Sequence, residues 1–250
     1  MIDPRSSVVN ERLKKIKRII AVSSGKGGVG KSMVATALAL SLRRDGYNVG
    51  LFDLDFTGPS THIILNVPKN LQPLEDKGLV PPKVENLNYM SLVYFVGDNP
   101  VPLRGLDISN ALLELLTVTQ WGELDFLIID MPPGISDAVL DVVRFIKRIE
   151  FLIITTSSLL AFEVVKKQVT LLLDMGLPII GVVENMKMDK TDAIEREVPK
   201  LNLRYLCPIL FDAKVESSIG YPSKLLRTSL GTAMKQIKDY ILLAGKRNVL

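Results

Sequence analysis

A glycine-rich segment near the start of the chain has the residue types and spacing of a phosphate-binding loop. Gly25, Gly30, Lys31 and Ser32 satisfy the pattern Gly-x-x-x-x-Gly-Lys-[Ser/Thr]. The glycines let backbone N–H groups surround phosphate oxygens, and a helix beginning there adds the positive end of its dipole. The lysine neutralises the β and γ phosphates, and the serine hydroxyl suits Mg²⁺. The segment predicts nucleotide binding, the alternative being a glycine turn that only joins a strand to a helix.

Three aspartates downstream have the chemistry to hold a metal ion against phosphates and to align a water molecule. Asp53 and Asp55 lie in LFDLDFTGPS, and Asp130 ends the apolar segment FLIID. A carboxylate at the end of a buried strand suits Mg²⁺, bound directly or through water, so we assign that role to Asp130. Asp55 is the candidate for orienting the water, although spacing alone does not divide the work between Asp53 and Asp55.

The turn MPPG follows Asp130 and ends at Gly134. Two prolines make such a turn stiff, and the Gly134 N–H could meet a γ-phosphate as a switch loop does. A rigid turn without ligand contact is the alternative.

Short apolar runs rich in Ile, Val and Leu predict the strands that position these residues. The runs cover residues 18–23, 48–55, 125–130, 150–155 and 178–184. Their hydrophobicity is continuous rather than alternating, which is typical of a parallel sheet covered on both faces.

Helical patterns separate these runs. We expect one helix to end at Gly46, one to begin at the N-cap Ser136, and one to end at Gly176. Residues 59–102 are rich in proline and predict turns, with a further strand near Tyr89–Val96. Alternating strands and helices predict an α/β fold, a doubly wound and mostly parallel sheet flanked by helices.

Composition favours a globular protein. The 250 residues are 47% hydrophobic and 23% charged, and we expect one domain over residues 1–250 with a basic segment at 1–17. The run RLKKIKR (12–18) could touch nucleic acid or acidic lipid, but without interleaved aromatic residues a solvated helix face or entry segment is favoured. There is no signal-peptide pattern and no apolar run of about 18 residues, so we expect a cytoplasmic protein.

Cysteine and histidine are scarce. Cys207 is the only cysteine, so the chain forms no internal disulfide and no cysteine pair for a metal. Its apolar surroundings predict a buried structural thiol in a strand. His62, the sole histidine, is interpreted as a surface or packing residue.

Several motifs together resemble a known family. GKGGVGKS is similar to the deviant Walker A motif of the MinD, ParA and Mrp ATPases, which carries an extra lysine. DLDFTGPS, PLRG, WGELDFLIIDMPPG and GVVENM resemble the Mrp (ApbC) branch in particular, and the matches run from about residue 16 to residue 187. The resemblance implies a MinD-like P-loop NTPase fold and slow, Mg²⁺-dependent hydrolysis of ATP to ADP.

The resemblance also implies individual roles. Lys26 would cross the interface of an ATP-dependent homodimer to the partner's phosphates, and Asp55 would position the hydrolytic water. Asp53, Asp130 and Ser32 would lie near Mg²⁺, and Asn185 would contact adenine, unless it is an ordinary polar residue after a strand. The nucleotide would be held by Gly25, Lys26, Gly27, Gly28, Val29, Gly30, Lys31, Ser32, Met33 and Asn185.

The chain departs from the Mrp pattern at one point. Most Mrp-type proteins carry a Cys-x-x-Cys pair shortly after the ENM segment, and two subunits share an iron-sulfur cluster; this chain has no such pair. Two copies of Cys207 are not expected to hold a cluster, which normally takes four thiolates. The opening segment and PLRG...ISNALLELL are similar to the archaeal ATPase-type HypB hydrogenase-maturation factors. Metallocofactor assembly is therefore the expected function, with a HypA-like nickel carrier or an iron-sulfur acceptor as partner.

A MinD- or ParA-like spatial organiser acting on membrane or DNA is the alternative function. Membrane contact would need an exposed amphipathic C-terminal helix. An apolar stripe there comprises Met234, Ile237, Ile241 and Leu242. Docking on the core is the commoner role of such a stripe, so no stable nucleic-acid or membrane binding is expected. A small-molecule kinase would use the same loop, but the sequence shows no acceptor-site constellation.

Overall fold

Strands and helices alternate along the computed structural model, which describes residues 5–56, 58–96, 106–188 and 190–247. The strands are β1 (Ile16–Ser24), β2 (Val49–Asp53), β3 (Leu74–Glu75), β4 (Leu79–Val80), β5 (Lys83–Val84), β6 (Leu87–Ser91), β7 (Leu124–Asp130), β8 (Ile149–Thr155), β9 (Ile179–Lys187) and β10 (Tyr205–Leu210). The helices are α1 (Arg5–Leu13), α2 (Lys31–Arg44), α3 (Thr61–Ile64), α4 (Val93–Val96), α5 (Leu106–Val118), α6 (Asp137–Phe145), α7 (Leu159–Asp174), α8 (Ala193–Glu197), α9 (Pro222–Leu225) and α10 (Ser229–Arg247). Two 3₁₀ turns span Val198–Leu201 and Glu216–Ser218.

Within the described residues, eight strands form one sheet in the order β10-β9-β8-β1-β7-β2-β6-β5. All neighbours pair in parallel except β5, which runs antiparallel to β6 at the edge. The strands β3 and β4 form a separate antiparallel pair. The prediction of a doubly wound, mostly parallel sheet is confirmed.

Each face of the sheet has its own apolar core, which explains the continuous hydrophobicity of the strands. Along β1, Ile19 and Ala21 face the core formed with α1, α5, α6 and α7, whereas Ile20 and Val22 face the core formed with α2 and α10. Because helices cover both faces, the carboxyl-end edge of the central strands is where loops and polar side chains gather.

Two predicted strands end earlier than expected. The strand β2 stops at Asp53, because the Asp53 carboxylate accepts the Asp55 N–H and turns the chain. The strand near Tyr89 stops at Ser91, whose side chain accepts the Val93 N–H, so Val93–Val96 is helical. The segment PLRG, residues 102–105, lies outside the described residues.

The predicted helix ends are close to the observed ones. Gly46 and Gly176 follow α2 and α7 with φ of 94° and 69°, the left-handed region that glycine adopts most readily. Ser136 precedes α6 as predicted, although its side chain makes no capping bond. The helix α7 begins at Leu159, earlier than expected, because Ser158 caps it by accepting the Ala161 N–H.

The basic N-terminal segment is matched by acidic side chains of the sheet. Lys17 lies 2.7 Å from Asp125, and Arg18 lies 2.7 Å from Glu150. The Lys17 contact lowers the pKa of Asp125 and raises that of Lys17. Both basic residues lie on β1, so the interpretation as a helix face is wrong for them, and their acidic partners leave less unpaired positive charge for nucleic acid.

The apolar stripe of α10 docks on the core. Met234, Ile237 and Ile241 are fully buried, and Leu242 packs against the same cluster. None of the helices within the described ranges has the length and hydropathy to cross a membrane.

The docking of α10 predicts a large difference between two residues of that helix. Ile237→Ala should lower the free energy of unfolding by about 2–5 kcal/mol, because Ile237 is fully buried and truncation leaves a cavity. Leu243→Ala, on the exposed side of the same helix, should change it by less than about 0.5 kcal/mol. Urea unfolding of the two variants measures this, and equal losses would contradict the docked helix.

Candidate nucleotide site

The glycine-rich loop connects β1 to α2 and rims a cavity of about 370 Å³. Gly28 and Gly30 have φ of 77° and 80°, which other residues adopt only with strain. A Cβ atom at Gly30 would also lie 2.3 Å from the side-chain nitrogen of Asn185. Both the turn and the close approach therefore require glycine at this position.

Lys31 brings the predicted site residues together. It is buried, and its Nζ lies 2.6 Å from Asp130 Oδ1, 3.6 Å from Asp55 Oδ2 and 3.5 Å from Ser32 Oγ. Parallel register places Asp53 beside Asp130 on neighbouring strands. The residues that the sequence separates by up to 99 positions thus share one edge of the sheet.

Asp130 is a buried carboxyl group with an unusual titration. Burial raises its pKa to about 7, the nearby charge of Lys31 opposes this rise, and Asp53 adds to it. Its Oδ2 atom is buried and has no hydrogen-bond partner among the described residues. A cation that binds beside a buried carboxyl group with a raised pKa stabilises its charged form.

Asp53 is bonded on both oxygens within the chain. Its Oδ2 accepts the Thr61 hydroxyl at 2.6 Å and the Thr61 N–H at 3.2 Å, while Oδ1 accepts the Asp55 N–H at 3.1 Å. The Thr61 hydroxyl is also 2.9 Å from the hydroxyl of Tyr89. Burial raises the pKa of Asp53, and these hydrogen bonds oppose it. Asp53 therefore anchors both ends of the loop that carries Asp55.

Sequence reasoning did not identify Thr61 or Tyr89. Both are completely buried or nearly so, and Tyr89 lies on the neighbouring strand β6. Burial raises the pKa of Tyr89 well above its ordinary value. The only sequence signal was a threonine shortly after the DLD segment, and such a residue has no distinctive spacing.

Asn185 lies against the glycine-rich loop. It is buried at the end of the sheet, and its side-chain N–H donates to the Val29 carbonyl oxygen at 2.8 Å. The contact ties β9 to the loop. The adenine contact expected of this residue stays a prediction.

Lys26 and Gly134 differ in how they relate to the loop. Lys26, Gly27 and Gly28 are exposed, in contrast to the buried Lys31. The Gly134 N–H donates to the Ser24 carbonyl at 2.8 Å, so the MPPG turn is attached to the loop. The γ-phosphate contact expected of Gly134 stays a prediction.

The charges of the site fit a divalent cation. Asp53, Asp55 and Asp130 bring three buried carboxyl groups around one buried ammonium group, that of Lys31. In the described part of the chain, no three histidine, cysteine or acidic side chains are arranged to hold a metal on their own. A Mg²⁺ ion usually keeps water and phosphate ligands, which agrees with so few protein donors.

Cys207 and His62 lie where the sequence predicted. Cys207 is buried in β10, and burial raises its pKa to about 12, which disfavours the thiolate that metals bind. His62 is partly buried on α3.

The fold and the site together define a P-loop nucleotide-binding protein. A family model described as ParA: NUBPL iron-transfer P-loop NTPase matches residues 15–201. The chain belongs to this family, which confirms its resemblance to the ParA, MinD and Mrp proteins.

Named relatives support the same family. An iron-sulfur cluster carrier protein of Methanococcus maripaludis is 34% identical over 97% of this chain and 90% of its own length. An iron-sulfur cluster carrier protein of Pseudomonas fragi is 41% identical over 70% of this chain. The match spans 62% of that relative's length. A nucleotide-binding protein from Archaeoglobus fulgidus, solved in complex with ADP, is 30% identical with a TM-score of 0.73, covering 88% of this chain and 92% of its own.

The hydrogen bonds of Asp53 predict a loss of stability when the Thr61 hydroxyl is removed. Thr61→Val keeps the side-chain shape but removes the nearest of the three donors to the buried Asp53 carboxylate, and should lower the free energy of unfolding by about 1–3 kcal/mol. The control Thr170→Val, at an exposed threonine, should change it by less than about 0.5 kcal/mol. Equal stability of the two variants in denaturant titrations would contradict the anchoring role of Asp53.

Proposed function

We propose that the chain is a slow, Mg²⁺-dependent ATPase that works as a nucleotide-switched homodimer in iron-sulfur cluster assembly. The observation that carries this proposal is the arrangement of two lysines in one loop. Lys31 is buried against Asp130 and Asp55, while Lys26 is exposed, and both lysines border the same cavity. The proposal assigns the buried Lys31 to the chain's own nucleotide and the exposed Lys26 to a second copy of the chain.

The binding step follows from the loop geometry. The loop N–H groups and the start of α2 receive the phosphates, and Lys31 shifts its charge from Asp130 toward them. Ser32 and Asp130, with Asp53 close by, would hold Mg²⁺, which supplies charge neutralisation at the phosphates. Adenine contact by Asn185 and backbone contacts along Gly25–Met33 complete the proposed nucleotide site.

Asp55 is the proposed positioning group for the attacking water. Its loop is fixed at both ends by Asp53, and its Oδ1 accepts the Gly58 N–H at 3.2 Å. A carboxylate oriented this way accepts a hydrogen bond from water and aligns it for attack on the γ-phosphate. Lys26 of a second copy would stabilise the charge that develops there.

The cargo is proposed from the relatives, whose printed names include iron-sulfur cluster carrier. This chain contributes one cysteine, which is buried with a raised pKa. Since a cluster normally takes four thiolates, we propose that a partner protein supplies them and this chain supplies the nucleotide cycle. We further propose that residues 1–250 act as one domain, in the cytoplasm, where a free thiol persists.

Capture of partners tests the cargo. An Asp55→Ala variant should accumulate as the ATP-bound dimer, because water is no longer aligned. Affinity capture with Mg²⁺-ATP should retain an iron- and sulfide-containing acceptor that ADP releases. Retention of a nickel-loaded, HypA-like protein instead would replace the iron-sulfur assignment with hydrogenase maturation.

Truncating Lys31 should impair ATP binding, whereas truncating Lys26 should impair ATP hydrolysis. Lys31→Ala should weaken ATP binding by about 100-fold or more, because it removes the charge that faces the phosphates. Lys26→Ala should bind ATP within about twofold of the parent, yet hydrolyse it about 100-fold more slowly. Fluorescent-nucleotide titration and phosphate release measure the two effects. Turnover by Lys26→Ala at the parent rate would refute its proposed role.

A further inference from the structure

The strand β9 contains an irregular step beside the glycine-rich loop. Glu184 and Lys187 of β9 pair with two residues of β10 that are only two positions apart. The residues between them, Asn185 and Met186, therefore lie opposite a single residue of β10, and we call these two residues the β9 bulge. Bulges are rare in parallel pairs of strands, and they are over-represented next to active sites, where they change the direction of a side chain.

The β9 bulge includes a residue in a strained conformation. Met186 has φ of 55°, in the left-handed region that residues with a side chain disfavour. Such strain persists only where the surrounding contacts hold it in place, and it clusters at functional sites. The contacts made by the neighbours of Met186 therefore indicate what the strained step does.

The β9 bulge brings Lys187 to the same face of the sheet as Glu184. Side chains of a regular strand alternate between the two faces, so residues three positions apart would point in opposite directions. Here the Lys187 Nζ lies 2.9 Å from Glu184 Oε2, which also accepts the Tyr205 hydroxyl at 2.6 Å. Glu184 is completely buried, and its other oxygen has no hydrogen-bond partner among the described residues. Because a buried carboxylate without a partner is costly, the ion pair keeps Lys187, and with it the bulge, in this position.

Asn185 points to the opposite face of the sheet, towards the glycine-rich loop. Its side-chain N–H donates to the carbonyl oxygen of Val29, a residue of the core on the α2 side. A Cβ atom at Gly30 would lie 2.3 Å from the same nitrogen, so the amide packs directly against the loop. A rotation of β9 at this point would move the amide. The direction of Asn185 therefore depends on the bulge that the Glu184–Lys187 pair holds.

We infer that the β9 bulge, held by the ion pair between Glu184 and Lys187, positions Asn185 to select adenine over guanine. The inference rests on the proposed function and deepens it by naming residues that set the preference for ATP. The group at position 6 is a donor in adenine and an acceptor in guanine, so an amide separates the two bases only when its orientation is fixed. Met186 and Lys187 act through Asn185 and are positioning residues.

The ratio of ATP affinity to GTP affinity tests the inference, with inorganic tripolyphosphate as a probe of the phosphate contacts alone. Lys187→Met should lower the ratio by about 10-fold, because the bulge loses its ion pair, and should bind tripolyphosphate like the parent. Lys166 pairs with Glu163 on α7 at the same spacing of three residues, so Lys166→Met is the matched control and should keep the parent ratio. Calorimetric titration measures all three affinities. Should Lys187→Met misfold, combining it with Glu184→Gln removes the unpaired buried charge and gives the same comparison.

A second pair of variants tests the strained backbone directly. Met186→Gly should keep the parent ratio of ATP to GTP affinity, because glycine adopts a positive φ without strain. Met186→Val should lower this ratio, because a β-branched residue is strongly disfavoured in the left-handed region. Equal ratios for the two variants would contradict the role of the bulge.

The remaining outcomes separate this inference from the proposed function. Asn185→Ala should lose most of the preference for ATP. If it does so while Lys187→Met keeps the parent ratio, the bulge does not position Asn185, although the adenine contact stands. If Lys187→Met weakens binding of ATP, GTP and tripolyphosphate equally, Lys187 has only a structural role and the inference fails. If the parent already has the same ratio as Asn185→Ala, the proposed adenine contact fails and the inference fails with it.

Discussion

The buried excess of negative charge around Lys31 is the constraint on which the site depends. Desolvated carboxylates are costly unless paired, and one ammonium group does not balance Asp53, Asp55 and Asp130. Part of this desolvation cost is relieved because burial raises the pKa of Asp130 to about 7 and because the Thr61 hydroxyl donates a hydrogen bond to Asp53. The rest is not compensated by the described residues, and the Mg²⁺ ion of the proposed nucleotide complex would offset it. Lys31 offsets part of this excess of negative charge through its ion pairs with Asp55 and Asp130.

The fold could be predicted from the sequence because its signals are local and redundant. Continuous apolar runs, glycines after helices and the phosphate-loop pattern each indicate the same architecture. The predicted strand ends were wrong where side chains accept hydrogen bonds from backbone N–H groups. Asp53 ends β2 early in this way, and Ser91 begins a short helix after β6. Such hydrogen bonds depend on how the chain turns rather than on hydrophobic pattern.

The site could be predicted only where its residues belong to a motif. Lys31, Asp55 and Asp130 meet as expected, whereas Thr61 and Tyr89 were missed because their importance comes from strand register. Cys207 was placed correctly in a strand, where it is buried.

Action of Lys26 across a dimer is the central claim, and mixing two inactive variants tests it most directly. Lys26→Ala retains its nucleotide site and Asp55, while Asp55→Ala retains Lys26. In a mixed dimer, Lys26 of the second variant faces an intact site in the first. Phosphate release by the mixture should clearly exceed the sum of the two variants measured separately. A mixture no more active than that sum would show that Lys26 does not act in trans.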